Sequence, residues 1–428
     1  MDTRSPRFDP TRRQWLAAAG ALPLSAALSG LAGATNATAS TATTTSTPAR
    51  GLQGLDQAFE IAGCYLNGAY MHPVSRAAAQ AQRGFLDARL MNAGADKVDM
   101  GGDRERAMAA LGRLLHADRD ELAWIPSTMF GENLVLNGLG IPHSRQRVVT
   151  DAYHFNGSLF MYMELAKRGL DVQVVRPHDN RIRLQDLDKA ITPGTRLVAL
   201  TLVSSVNGFQ HDLKAVCDLA HSRGALVYAD LIQAAGNTPI DLHGSGVDFA
   251  ASSTYKWLMG DFGLGVMYAR RASQEALRQI VWGYRQEGET VSHLLPFDPP
   301  GEPPLQTQAI GGLAGKIEVG TLNNSAAAAL ATSLELIERI GVDSIRQWRQ
   351  PLLARLHEAI PRLGFDAMTP PESSSALVSF AQRDVGKRLA PKLKAAGVDV
   401  TLYRNYFRVS PSFYNGSDDV ERLIEALS

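Results

Sequence analysis

Between residues 148 and 230, four short runs rich in β-branched and apolar residues alternate with helix-patterned stretches. They cover residues 148–152, 172–175, 196–203 and 225–230. Each is too short for a helix and carries residue types that fit a pleated surface. In the stretch 212–222, Leu213, Val216, Cys217 and Ala220 recur at i, i+3, i+4 and i+7, with Asp212 placed to cap a helix. Such alternation confines a chain to a mostly parallel sheet covered by helices on both faces. The expected fold class is therefore α/β, with a three-layer α/β/α large domain over residues 76–318. A smaller α+β domain follows over 319–428, and residues 51–75 lead in as an N-terminal segment. Helices are predicted over 76–91, 325–339 and the C-terminal stretch, where Val420, Leu423, Ile424 and Leu427 share a face. The Pro/Gly-rich residues 285–318 read as a long loop of the kind that is usually functional. In open α/β sheets, ligands bind at the carboxyl ends of the strands.

The first fifty residues are expected to stand outside this fold. Thr11-Arg12-Arg13-Gln14-Trp15-Leu16 is a twin-arginine pattern, followed by a moderately apolar run to about Leu31 and a small-residue cleavage site at Ala32-Gly33-Ala34. Gly20, Pro23, Ser25 and Gly30 interrupt the run, which is too short and weak for a stable membrane span. Residues 1–34 are thus expected to be an export signal read by the twin-arginine translocase, which carries folded proteins to the periplasm. Residues 35–50 are a low-complexity linker with nothing to bury. Lys plus Arg equals Asp plus Glu at 43 each, so net charge gives no reason to expect a nucleic-acid partner. Cys64 and Cys217 are the only cysteines, which excludes a disulfide scaffold and a Cys-rich metal site, and no metal is expected.

Asp230 closes one of the strand-like runs, and Lys256 follows 26 positions later, at the expected end of a second strand in Ser253-Thr254-Tyr255-Lys256-Trp257-Leu258. An Asp to hold a pyridine nitrogen protonated and a Lys to form a Schiff base are what pyridoxal phosphate (PLP) chemistry requires. The surrounding text makes the case. Val203-Ser204-Ser205-Val206-Asn207-Gly208, the run Gly224 to Gly236, Gly246-Val247-Asp248-Phe249 and Tyr255 to Gly260 together resemble the class V aminotransferase family of fold-type I PLP enzymes. That family includes cysteine desulfurases, selenocysteine lyases, kynureninases and isopenicillin N epimerase-like proteins, and the similarity covers most of residues 60–428.

The resemblance implies roles residue by residue. Lys256 would carry the cofactor and shuttle the proton at Cα, and Asp230 would pair with the pyridinium nitrogen. Gln233 would bond the ring hydroxyl, and His154 would stack on the ring. Thr128, Met129 and Ser253 would hold the phosphate, with a plain helix cap as the alternative for Thr128. Thr321, in Glu318-Val319-Gly320-Thr321, would reach the phosphate of a neighbouring subunit, which implies a homodimer with shared sites. Arg408 would grip the carboxylate of an amino-acid-type substrate, with Asn67 bordering the pocket.

Two departures narrow the expected reaction. Neither Leu322-Asn323-Asn324-Ser325 nor residues 397–406 contain the mobile-loop Cys of a desulfurase, so a cysteine desulfurase is not expected. Tyr255 stands where desulfurases commonly have His, which favours the lyase, epimerase and kynureninase-like branches. Leu231 and Ile232 are also bulkier than the family's usual pair. The leading expectation is an exported enzyme acting at Cα or Cβ of an amino acid or amino-acid-containing metabolite, by elimination, epimerisation or decarboxylative tailoring. An aminotransferase and a non-catalytic periplasmic binding protein are the alternatives.

Overall fold

The computed structural model describes residues 52–91 and 101–428. The export signal and the linker predicted for residues 1–34 and 35–50 lie outside the described residues. The chain enters through β1 (Cys64–Tyr65), α1 (Arg76–Met91) and α2 (Gly102–Leu115). Strands and helices then alternate: β2 (Leu122–Ile125), α3 (Thr128–Gly138), β3 (Arg147–Asp151), α4 (Asn156–Lys167), β4 (Val172–Val175), α5 (Leu184–Ala190), β5 (Thr195–Thr201), α6 (Leu213–His221), β6 (Leu226–Asp230), α7 (Leu242–Ser245), β7 (Phe249–Ser253) and β8 (Gly265–Ala269). Next come β9 (Glu287–Ser292), β10 (Leu305–Ala309), α8 (Ala314–Ile317), α9 (Asn324–Ile340) and α10 (Val342–Arg362). The chain closes with β11 (Asp366–Ala367), β12 (Val378–Ala381), α11 (Val385–Ala396), β13 (Val398–Asp399), β14 (Thr401–Leu402), β15 (Tyr406–Val409) and α12 (Ser417–Leu427).

The main sheet has the order β2-β8-β7-β6-β5-β3-β4. From β7 to β4 every pairing is parallel, and β8 runs antiparallel to both its neighbours. Side chains of successive strand residues enter opposite cores. Val198 and Leu200 pack with Met108 of α2, Val216 of α6 and Leu334 of α9. Leu197 and Ala199 pack with Val135 of α3 and Tyr162 of α4. This is the three-layer arrangement read from the alternation, and Asp212 caps α6 as expected, accepting from the Ala215 amide at 3.0 Å. A four-stranded antiparallel sheet, β11-β12-β15-β14, forms a separate core with α10, α11 and α12. Cys64 and Leu66 join that core, because β1 pairs in parallel with β13. The entry segment thereby ties the first described residues to the last.

Two expectations are corrected. Residues 285–318 contain a two-stranded antiparallel ribbon of β9 and β10. Both strands are exposed on both faces, so they lack the apolar alternation that marks a half-buried strand. Their prolines are confined to the connection between them. Strand β7 ends at Ser253, which leaves Lys256 in the turn beyond it. Among the described residues, no helix is long and apolar enough to cross a membrane.

Candidate active site

The carboxyl ends of β3, β5, β6 and β7 deliver Asp151, Thr201, Asp230 and Ser253 to one region. Asp230 is buried, and one of its oxygens accepts the Ile232 amide at 2.8 Å. Its second oxygen has no partner among the described residues. Burial pushes its carboxyl up to about 6, against the opposing effects of that amide and of His154. The bulky Ile232 thus contributes through its backbone. Lys256 is 8% exposed, and its amine makes no hydrogen bond or ion pair among the described residues. Burial, and then the charge of Arg408, push that amine down to about 8, against the pull of Asp230. A desolvated lysine of this kind is a nucleophile near neutral pH.

Between β2 and α3 the backbone turns into a helix N-terminus, where amide groups are available to an anion. Ser127 is the cap, accepting from the Phe130 amide, so Thr128 is the first helical residue and not the cap. Thr128 and Ser253 clasp each other. The Thr128 amide donates to Ser253 Oγ at 2.9 Å, and the Ser253 amide donates to Thr128 Oγ1 at 2.8 Å. The Met129 amide has no partner among the described residues. Gly131 lets α3 lie close to the sheet, since a Cβ there would come within 2.8 Å of the Ala251 Cβ. The sequence-predicted phosphate residues therefore meet at one place.

His154 follows β3 and is fully buried. Its Nδ1 lies 2.7 Å from Thr201 Oγ1 and its Nε2 lies 3.1 Å from Glu132 Oε1. Arg408, on β15, is 3% exposed. One of its terminal nitrogens donates to the Ser205 carbonyl at 2.7 Å and the other to Thr401 Oγ1 at 3.1 Å, while its Nε is unpaired. No carboxylate pairs with it among the described residues. Thr401 donates in turn to Asn67 Oδ1, and Asn67 donates to Asp399 at 3.0 Å. Asn67 thus acts on the guanidinium through Thr401, and sequence reasoning missed Thr401, Asp399 and Glu132. Only Glu132 left a signal, as a carboxylate set among the apolar residues of α3.

Gln233 spends its amide oxygen on the Trp257 indole and one amide proton on the Ala69 carbonyl, both at 2.9 Å, which leaves one N–H free. Thr321 is exposed and stands apart from these groups in the single chain, 3.3 Å from the Tyr284 hydroxyl. A buried lysine amine with no hydrogen bond, lying 5.9 Å from the Tyr255 ring centre, a half-satisfied aspartate and an open helix N-terminus form the donor set that PLP needs. The residues present fit that cofactor. An unneutralised guanidinium beside them fits a carboxylate.

The likenesses to known proteins agree. A protein named probable cysteine desulfurase from Methanothermobacter thermautotrophicus is 26% identical over 346 residues, covering 76% of this chain and 82% of that protein. The cysteine desulfurase CsdA of Escherichia coli superposes with a TM-score of 0.76 at 23% identity, covering 88% of this chain and 97% of the other. The cystine C–S lyase C-DES gives a TM-score of 0.76 at 18% identity, covering 88% and 98%. These findings overturn the expectation that excluded a cysteine desulfurase: relatives and fold neighbours bear that name although this chain lacks the loop cysteine. Its own two thiols are buried, and burial pushes Cys217 up to about 12. The aminotransferase class-V profile matches residues 99–423, and with the donor set above it identifies the chain as a PLP-dependent member of the class V aminotransferase family.

Proposed function

We propose that this protein is a PLP-dependent lyase that breaks a bond at Cβ of an α-amino acid, with sulfur-bearing amino acids as its substrate class. Arg408 carries the reading. A nearly buried guanidinium with no carboxylate partner costs several kcal/mol to desolvate, and a substrate carboxylate would supply the missing charge in a bidentate pair. The names of the relatives and of C-DES support the bond and the element. When bound, PLP supplies an aldehyde for Lys256 and an electron sink for the bond that breaks. The chain's own residues do the rest. Arg408 fixes the carboxylate and so the orientation of Cα, Asp230 holds the ring nitrogen's proton, and Lys256 moves the proton at Cα. Asn67 and Thr401 hold Arg408 in place.

The protein works as a homodimer in this reading. Thr321 is exposed, and so is the large aromatic side chain of Tyr284 beside it, whose hydroxyl lies 3.3 Å away, as expected of residues that a second copy covers. The twin-arginine pattern supports export to the periplasm. The test is to give the purified holoprotein L-cystine and assay pyruvate, ammonia and cysteine persulfide, which balance as the products of cystine and water. Arg408→Met must lose most of this turnover at substrate concentrations near the wild-type KM. Lasting conversion of the cofactor to its amine form, with a keto acid released, would instead make the protein an aminotransferase.

A further inference from the structure

Glu132 has no task in the account so far, yet it is among the most thoroughly bonded groups in the molecule. Its side chain is buried, 1% exposed, and accepts three hydrogen bonds. The Tyr162 hydroxyl donates to Oε1 at 2.8 Å, the Ser158 hydroxyl donates to Oε2 at 2.5 Å, and His154 Nε2 lies 3.1 Å from Oε1. A carboxylate in such a site is held ionised by its donors. An ionised carboxylate without water needs a cation, and no Lys or Arg pairs with Glu132 among the described residues. His154 is the group that can answer it.

Among the described residues, the charges that act most strongly on His154 are all negative. Glu132 approaches from α3, Asp151 from the end of β3 and Asp230 from the end of β6. Asp151 has its own partner in His211, at 3.2 Å. The neutral groups around the pair are Thr201 on β5, Tyr162 and Ser158 on α4, and Tyr228 on β6. Burial alone would lower the basicity of the imidazole, but the charge and hydrogen bond of Glu132, with Asp230 and Asp151 behind it, raise it above the ordinary value. Burial would also raise the Glu132 carboxyl, and His154, Ser158 and Tyr162 together bring it below the usual range.

We propose that Glu132 is a positioning residue that locks His154 as a doubly protonated imidazolium. His154 is then a fixed positive charge beside Asp230 and not a general base. Both ring nitrogens donate, Nε2 to Glu132 and Nδ1 to Thr201, so neither can accept a proton from substrate. The proton work at Cα falls to Lys256 alone. This proposal rests on the PLP reading only for its consequence in catalysis; the ion pair itself belongs to the chain.

The test is the pH dependence of the His154 ring-nitrogen signals in protein carrying 15N-labelled histidine, with and without PLP, the signals being assigned by their loss in His154→Asn. The wild-type ring is expected to keep both nitrogens protonated across the pH range in which a free imidazole loses its proton. Glu132→Gln is expected to let it titrate in that range, to make the visible band of the PLP-loaded protein pH-dependent there, and to lower kcat by at least about tenfold with KM unchanged. Glu132→Asp should restore the wild-type spectrum. A neutral His154 ring in the wild type at pH 7, or Glu132→Gln signals that match the wild type, would overturn the proposal. The wild-type titration decides it even if Glu132→Gln does not fold. Failure of the protein to take up PLP would sink the cofactor reading, while the spectrum of the cofactor-free protein still decides the ion pair.

Discussion

At the scale of single residues, the site is a set of groups whose requirements are left unmet until ligands arrive. Lys256 reacts with an aldehyde only as the neutral amine, and its proton is held with a pKa near 8. The rate of PLP uptake by the cofactor-free protein should rise about tenfold per pH unit up to about pH 8 and then level off. A rate still rising above pH 9 would mean an ordinary lysine. Asp230 shows the opposite displacement. Its folded-state value, raised to about 6, lies above the unfolded one, so its contribution to stability is present below about pH 4 and is lost as pH rises through 6. At pH 7.5 the buried charge weakens the cofactor-free fold. Asp230→Asn should therefore raise the melting temperature of that form at pH 7.5, with the gain vanishing near pH 4, while abolishing turnover. Arg408→Met should raise KM for amino-acid substrates by about a hundredfold, as expected for charged hydrogen bonds worth about 3 kcal/mol. Thr401→Val should raise it less, since Arg408 keeps the Ser205 carbonyl.

At the scale of elements, the N-terminus of α3 and the end of β7 act as one unit through the Thr128–Ser253 clasp. Ser253→Ala should weaken PLP binding about tenfold and leave the binding of pyridoxal, which lacks the phosphate, unchanged in a fluorescence titration. Equal losses for both would place Ser253 elsewhere. Much of this level was legible in the sequence. The parallel strands were readable because they are short and apolar, all but the edge strand β4 being buried on both faces, and α6 because its apolar period and its cap agree. The β9–β10 ribbon was not, since strands exposed on both faces leave no alternation to read. The partners of Asn67 were equally hidden. Thr401 and Asp399 lie more than three hundred residues away and are brought to it by the pairing of β1 with β13. A glutamate on an apolar helix shows only that it is misplaced, and the group that answers it, His154, comes from another element.

For the whole molecule, the sequence carried the cofactor chemistry and the fold class, while the expected exclusion of one reaction failed. Absence of a loop cysteine is a local feature, and the likeness to cysteine desulfurases extends over most of the chain. The dimer reading has its own test. In mixtures of Lys256→Ala and Thr321→Ala chains, sites that borrow Thr321 from a neighbour should regain activity, because a mixed dimer holds one intact site. Random pairing would return about a quarter of wild-type turnover. No gain over the separate variants would place Thr321 outside the partner's site.

The central claim is that Lys256 holds PLP and that Arg408 presents an amino acid to it for cleavage at Cβ. The most direct measurement follows the visible spectrum of the purified protein during addition of L-cystine, with pyruvate assayed in the same sample. The account predicts a Schiff-base band that is absent in Lys256→Ala, changes transiently on substrate addition and returns as pyruvate accumulates. A protein with no such band after incubation with PLP, or a band that never responds to a sulfur-bearing amino acid, would contradict it.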